Sequence, residues 1–267
     1  MGLAYSATGL ILKSAPLGEA DRLLTILSPE EGLFNAAAPG ARKPKSALGG
    51  RCQIFSVNQF FLSQGRSLAR ILQAEPLGAY PGLTASVGKL AAGQYLAQAA
   101  LALALKEQPQ AELYGLLSEH LSRVESADTD SRLYELLSQA LFHLLALGGV
   151  APQVYRCLVT EAPIAPDFTT LGWRIGFCFE RGGLVQLQFL GQDPRRSRQE
   201  RRLDPYDLFL LQQLPGARLP DLSQARPPVA PRHWARVECL LRDYAQLHFG
   251  QTLRAAQLLD NLVDLEF

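Results

Sequence analysis

No aspartate or glutamate occurs between Glu31 and Glu75. The same span carries six cations, Arg42, Lys43, Lys45, Arg51, Arg66 and Arg70. Positive charge without local compensation is a phosphate-seeking surface. The balance along the chain is uneven: the net charge is only +1 over all 267 residues, which excludes a general polycation and requires any nucleic-acid surface to be local. Cysteine is sparse. Cys52, Cys157, Cys178 and Cys239 are scattered, which excludes a disulfide framework and fits a reducing, cytoplasmic setting. The N-terminus lacks a basic and apolar leader. The longest apolar run, residues 96–105, is too short to cross a bilayer, so no membrane partner is expected. Enzyme signatures are missing too. There is no phosphate-binding G-x-x-x-x-G-K-[ST] loop, no G-x-G-x-x-G, no H-E-x-x-H and no G-x-S-x-G. The four histidines are far apart. His143 flanks an apolar helix face as a boundary residue, and His120 is expected half-exposed. Nothing assembles a nucleophile, a base and an orienting group, so no catalytic residue is assigned.

What is present begins with strands. Residues 9–14, 20–28, 33–38, 52–63 and 67–75 are short apolar or β-branched runs separated by Gly/Pro turns. Five such strands suggest a small closed barrel of the OB type, and an SH3-like barrel fits the pattern almost as well. The basic run Arg42-Lys43-Pro44-Lys45 to Gly49-Gly50-Arg51 lies between the third and fourth strands. Its glycines and proline predict a mobile loop. Phe34, Phe55, Phe60 and Phe61 are the barrel's aromatics. Phe60 and Phe61 are adjacent in a strand and must point to opposite faces, so one of the two is a candidate for the outer surface, where a base could stack.

After Pro81-Gly82 the pattern becomes helical. Segments 86–106, 111–124 and 131–147 carry leucine and alanine at helical spacing. Residues 151–202 are irregular, with Gly182-Gly183 the expected bend of a short hairpin. Asp204-Pro205 opens a further helix with Asp as cap. A proline-rich connector, 215–231, precedes two amphipathic segments, 233–249 and 252–265. A second arginine cluster, Arg195, Arg196, Arg198, Arg201 and Arg202, is either an auxiliary phosphate contact or a solvated loop. Cys157 and Cys178 have no second Cys or His within a few residues, whereas a structural zinc needs four soft or imidazole ligands, so metal is not expected.

Several ordered motifs carry a resemblance. Gly9-Leu10-Ile11-Leu12-Lys13-Ser14, Pro16-Leu17-Gly18-Glu19-Ala20-Asp21-Arg22-Leu23-Leu24, Gly40-Ala41-Arg42-Lys43-Pro44-Lys45-Ser46 and Gly49-Gly50-Arg51 resemble the bacterial RecO family of recombination mediators. Leu141–Cys157 and the tail from His248 to Asp260 are similar to later parts of the family. The resemblance implies a multidomain α+β chain: an N-terminal OB-fold β-barrel followed by an α-helical domain with an embedded zinc-finger-like hairpin. Its divisions would be a barrel at 1–80, a bundle at 83–150, a degenerate hairpin and basic loop at 151–202, and C-terminal helices at 203–267. It also implies binding of single- and double-stranded DNA, strand annealing, help in loading a RecA-type recombinase, and partnership with RecR and the single-strand-binding protein. No catalysis is required. The resemblance makes Lys13, Arg22, Arg42, Lys43, Lys45, Arg51, Arg66 and Arg70 the expected DNA contacts. Arg123 and Arg132 become candidates for a basic rim that receives the acidic tail of the single-strand-binding protein. Many members carry two C-x-x-C pairs. Here Cys157 keeps the first position, while Thr160, Gln186 and Phe189 stand at the other three, so no cofactor is expected. A generic OB-fold RNA-binding factor is the competing reading.

Overall fold

The computed structural model describes residues 4–65, 68–191, 200–222 and 228–263. Five strands, β1 (Ala4–Leu17), β2 (Asp21–Ser28), β3 (Gly32–Ala38), β4 (Ser56–Ser63) and β5 (Ala69–Ala79), close into a barrel of order β1-β2-β3-β5-β4. Antiparallel ladders join β1 to β2 and β4, β2 to β3, and β4 to β5. The closing pair is parallel and short, Ala36 with Ala69 and Ala37 with Arg70. This is the OB-fold arrangement. Alternation along each strand sends Ile11, Leu24, Ile26, Ala36, Phe60, Leu62, Ile71 and Ala74 inward. Gly9 is required in β1 because a Cβ there would stand 2.3 Å from Ile26 Cγ2.

The chain divides into two compact units, residues 1–127 with 254–267, and residues 128–253. The division falls inside the stretch read from sequence as one bundle at 83–150. In the first unit α1 (Val87–Leu103) follows the barrel, capped by the Ser86 hydroxyl, which accepts from the Lys89 amide. Phe55 sits at φ +66 beneath α1. A Cβ on Gly93 would stand 3.0 Å from the Phe55 ring, so the helix approaches closely there. Helix α2 (Ala111–Glu125) buries Leu113, Leu117, Leu121 and Val124. His120, expected half-exposed, is buried with them because it shares that face one turn before Val124.

The second unit is built on α3 (Leu133–Leu147), α4 (Pro205–Leu211) and α5 (Pro231–Phe249). A three-stranded sheet, β6 (Ile175–Cys178), β7 (Gly183–Val185) and β8 (Glu200–Leu203), has the order β7-β6-β8. The β6–β7 hairpin turns at Gly182 (φ +79) and Gly183 (φ +153), conformations that favour glycine. Asp204 caps α4 in a reciprocal capping box with Asp207, and Pro205 takes the first helical position. His143 bonds the Leu214 carbonyl at 2.9 Å. Helix α5 stops at Gly250 in the left-handed region. Helix α6 (Ala256–Val263) belongs to the first unit, where the Ala255 amide donates to Gln98 Oε1 at 3.1 Å. Among the described residues no helix is long and apolar enough to cross a membrane.

Candidate nucleic-acid interface

The basic segment between β3 and β4 is an anchored succession of turns rather than a free loop. Amide-to-carbonyl bonds run from Lys43 to Gly40, Ser46 to Lys43, Gly49 to Ser46 and Cys52 to Leu48, at 2.9 to 3.2 Å. The Gly40 amide donates to Asp21 Oδ1 at 2.7 Å, and the Arg42 amide to the Ala20 carbonyl at 2.8 Å. Ala41 and Cys52 are buried and Leu48 packs on the barrel core. Apolar residues spaced between the cations therefore fix the segment to the barrel while Arg42, Lys43 and Lys45 stay outside.

The cations divide by what they touch. Lys43 and Lys45 are exposed, Lys45 with φ +62. Arg42 is exposed, and its Nη1 donates to the Gly18 carbonyl at 2.9 Å in the β1–β2 turn. Arg51 is half-buried, with Nη1 donating to the Ala74 carbonyl of β5 at 2.7 Å. Arg22 is half-buried, with Nη1 donating to Ser14 Oγ at 3.2 Å, while the Ser14 hydroxyl donates to the Cys52 carbonyl. Burial pushes the Cys52 thiol up to about 11, opposed by the nearby Arg22 charge. Arg22 is thus already engaged by the barrel's own hydrogen bonds. Arg66 lies outside the described residues.

Lys13 stands elsewhere, on the outer face of β1, β2 and β3. It borders a groove of about 960 Å³ with Tyr5, Thr25, Phe34, Asn35 and Lys106, and with Glu31 and Glu107 among the lining groups. Sequence patterning did not point to this groove, because Lys106 reaches it only through the isolated pairing of the segment after α1 with Gly32 and Leu33. Arg70 is exposed on β5. Of the adjacent phenylalanines, Phe60 is in the core at 0 % exposure and Phe61 is outside at 48 %.

Arg123 pairs with Glu119 on α2. Arg132 pairs with Glu135 at 3.2 Å. Arg123 belongs to the first unit and Arg132 to the second. Of the second arginine cluster, residues 192–199 lie outside the described residues. Arg201 pairs with Asp243 at 3.1 Å, with its guanidinium 5.5 Å from the Phe179 ring centroid, and Arg202 is exposed.

The position of the implied zinc module can be tested on its donors. Cys157 is buried at 1 % exposure. Its amide donates to the Ala162 carbonyl and the Leu158 amide donates to the Leu184 carbonyl of β7, which closes a tight knuckle against the hairpin. Desolvation raises the thiol pKa, but hydrogen bonds onto sulfur from the Thr160 hydroxyl and the amides of Thr160, Val159 and Gln186 outweigh it and bring it to about 7. The Thr160 hydroxyl and the Gln186 backbone amide therefore converge on Cys157. One thiol with a hydroxyl and a carboxamide is not a zinc donor set, and Phe189 adds no donor. The residues present do not fit the metal. Among the described residues no group of three His, Cys, Asp or Glu side chains could hold one.

Comparison with known proteins agrees with the barrel and its attached helices. Residues 1–80 match the family described as "Recombination protein O N terminal", and residues 85–257 match "Recombination protein O C terminal". The protein named "DNA repair protein RecO" of Gloeothece citriformis is 47 % identical over 286 residues, covering 100 % of both chains. That of Synechocystis sp. is 46 % identical over 272 residues, again covering 100 % of both. That of Synechococcus elongatus is 38 % identical over 266 residues, covering 98 % of this chain and 97 % of its own. With both halves matched and relatives alike along their whole length, the chain belongs to the RecO family of DNA repair proteins.

Proposed function

We propose that this chain is a non-catalytic recombination mediator in the bacterial cytoplasm, acting on the nucleoid. The observation that carries the reading is the anchored, acid-free turn segment that holds Arg42, Lys43 and Lys45 out from an OB barrel. Such an array binds phosphate by charge and leaves sequence unread. It would engage single- and double-stranded DNA alike. Neutralising two backbones at one surface lowers the repulsion between complementary strands and lets them pair. Arg51 and Arg22 support that surface through their bonds to Ala74 and Ser14, Arg70 adds a cation on β5, and Lys13 offers a separate contact on the outer face of β1.

The remaining mass serves protein partners: RecR, and the single-strand-binding protein through its acidic, apolar tail. Displacement of that protein then lets a RecA-type recombinase load. The tail would find positive charge at Arg123 or Arg132. The knuckle around Cys157 holds without zinc, its sulfur served by Thr160 and Gln186 in place of a metal.

The test is annealing of complementary oligonucleotides coated with single-strand-binding protein, with and without this chain. Acceleration without nucleotide hydrolysis supports the mediator. The competing RNA-binding reading predicts tighter binding to RNA than to DNA of the same sequence, and equal or tighter DNA binding removes it.

A further inference from the structure

The outer face of β4 and β5 carries apolar groups that the charge-based reading does not use. Leu62, Ile71 and Ala74 face the core, so Phe61 and Arg70 face out. Phe61 pairs with Gln73 and Leu62 with Ile71, so Leu72 is the extra residue of a β-bulge. The bulge leaves Leu72 at 53 % exposure, with Gln73 also exposed, beside Phe61 at 48 %. Arg70 pairs with Ser63, two residues along β4 from Phe61. An aromatic ring, an aliphatic neighbour, a carboxamide and a guanidinium are thus displayed on one patch. Glu75, the nearest acid in sequence, accepts from Gln73 Nε2 at 2.9 Å.

From this face, and resting on the DNA-binding reading above, we infer that Phe61, Leu72 and Arg70 form a stacking platform for an unpaired base of single-stranded DNA. The ring receives the base, Leu72 extends the apolar floor, and Arg70 meets the adjoining phosphate. Charge and continuity select this occupant. The patch lies in the acid-free span, and the basic segment ends on the same strand, where Arg51 reaches Ala74. Arg70 and Ala74 are four residue steps apart on β5, a path of about 13 Å. A single strand gripped by the basic segment can therefore run along β5 to the ring. A duplex cannot use the platform, since its bases are already stacked. The basic segment grips either form, and Phe61 distinguishes the unpaired one.

The experiment measures affinities of the full chain for oligo-dT and for a duplex of the same length. It uses the wild type, Phe61→Ala, Phe61→Leu and Phe61→Tyr, with circular dichroism to confirm folding. The expected result is a loss of about tenfold for single strands in Phe61→Ala and Phe61→Leu, the worth of one stacked base. Phe61→Tyr retains wild-type affinity, and duplex affinity stays within about twofold throughout. If Phe61→Leu binds oligo-dT as the wild type does, the ring does not stack a base, and the patch is an apolar surface suited to a protein. If single-strand affinity survives in all three while duplex is bound, the platform is wrong and the basic segment's role stands. A wild type that binds neither DNA overturns both.

Discussion

Arg51 Nη1 donates a 2.7 Å hydrogen bond to the Ala74 carbonyl. Strand β3 pairs with only Ala69 and Arg70 of β5, so the guanidinium reaches a β5 carbonyl beyond the end of that short parallel ladder. A charge-assisted bond to a buried residue's carbonyl contributes about 1–3 kcal/mol. Arg51→Ala should therefore lower barrel stability by that amount, whereas Lys43→Ala and Lys45→Ala should move it by less than about 0.5 kcal/mol. Guanidinium chloride titrations of the three variants check this. Equal stabilities would make Arg51 a surface cation like the two lysines.

Asp204 caps α4 and also accepts from Arg236 at 2.7 Å. The Arg236 side chain also bonds Asp207, whose carboxyl is raised by burial, while hydrogen bonds and Arg236 hold that of Asp204 below the usual range. Asp204→Ala should cost about 1–2 kcal/mol, the usual worth of an N-cap. Thermal melts at neutral pH measure it. A loss below about 0.3 kcal/mol would contradict the capping role.

Cys157 supplies a pH-dependent signature. Its folded-state pKa, about 7, lies below the unfolded thiol value of 9.0. A depressed pKa contributes stability that is full above the unfolded value and lost as pH falls through the folded one. Between pH 7 and pH 9 the wild type should therefore gain stability relative to Cys157→Ser. Denaturation curves at both pH values compare them, and a constant difference would rule the linkage out. Elemental analysis of the same chelator-treated protein should find far less than stoichiometric zinc.

Arg123 and Arg132 are each held by a neighbouring carboxylate, so a tail-binding role for either is modest unless the ion pair opens. A peptide ending in acidic residues and an aromatic should bind at micromolar strength, about −8 kcal/mol. Arg123→Glu and Arg132→Glu, made singly, should show which cation the peptide uses, and Glu119→Ala should strengthen binding if it is Arg123. Fluorescence anisotropy of a labelled peptide reads this. Unchanged affinity in both reversals would place the tail elsewhere.

Much of the barrel is legible in the sequence because strand ends coincide with Gly/Pro turns and inward residues alternate, as in Leu24 and Ile26. The hairpin bend at Gly182-Gly183 and the Asp204 cap are legible for the same local reason. The division at Ala127/Asp128 is not, because it depends on whether α1 and α2 pack on the barrel or on α3, and amphipathic spacing shows a buried face without naming its partner. His120 escapes the pattern since one polar residue next to Glu119 does not disclose that its own side faces inward. The anchoring of Arg42 to Gly18 and of Arg51 to Ala74 is hidden because each joins residues more than twenty positions apart. Charge pattern shows where cations are, not which are already occupied.

The most direct test of phosphate recognition by the acid-free segment is the salt dependence of DNA binding by the Lys43→Ala/Lys45→Ala variant. These two cations are exposed and sit on an anchored segment, so their removal subtracts charge without disturbing the barrel. Duplex affinity should fall, and the slope of log K against log salt should become shallower by about 0.9 for each phosphate left without its lysine, close to 2 for both. A variant with wild-type affinity and wild-type slope would contradict this, since phosphate recognition would then lie outside the acid-free segment.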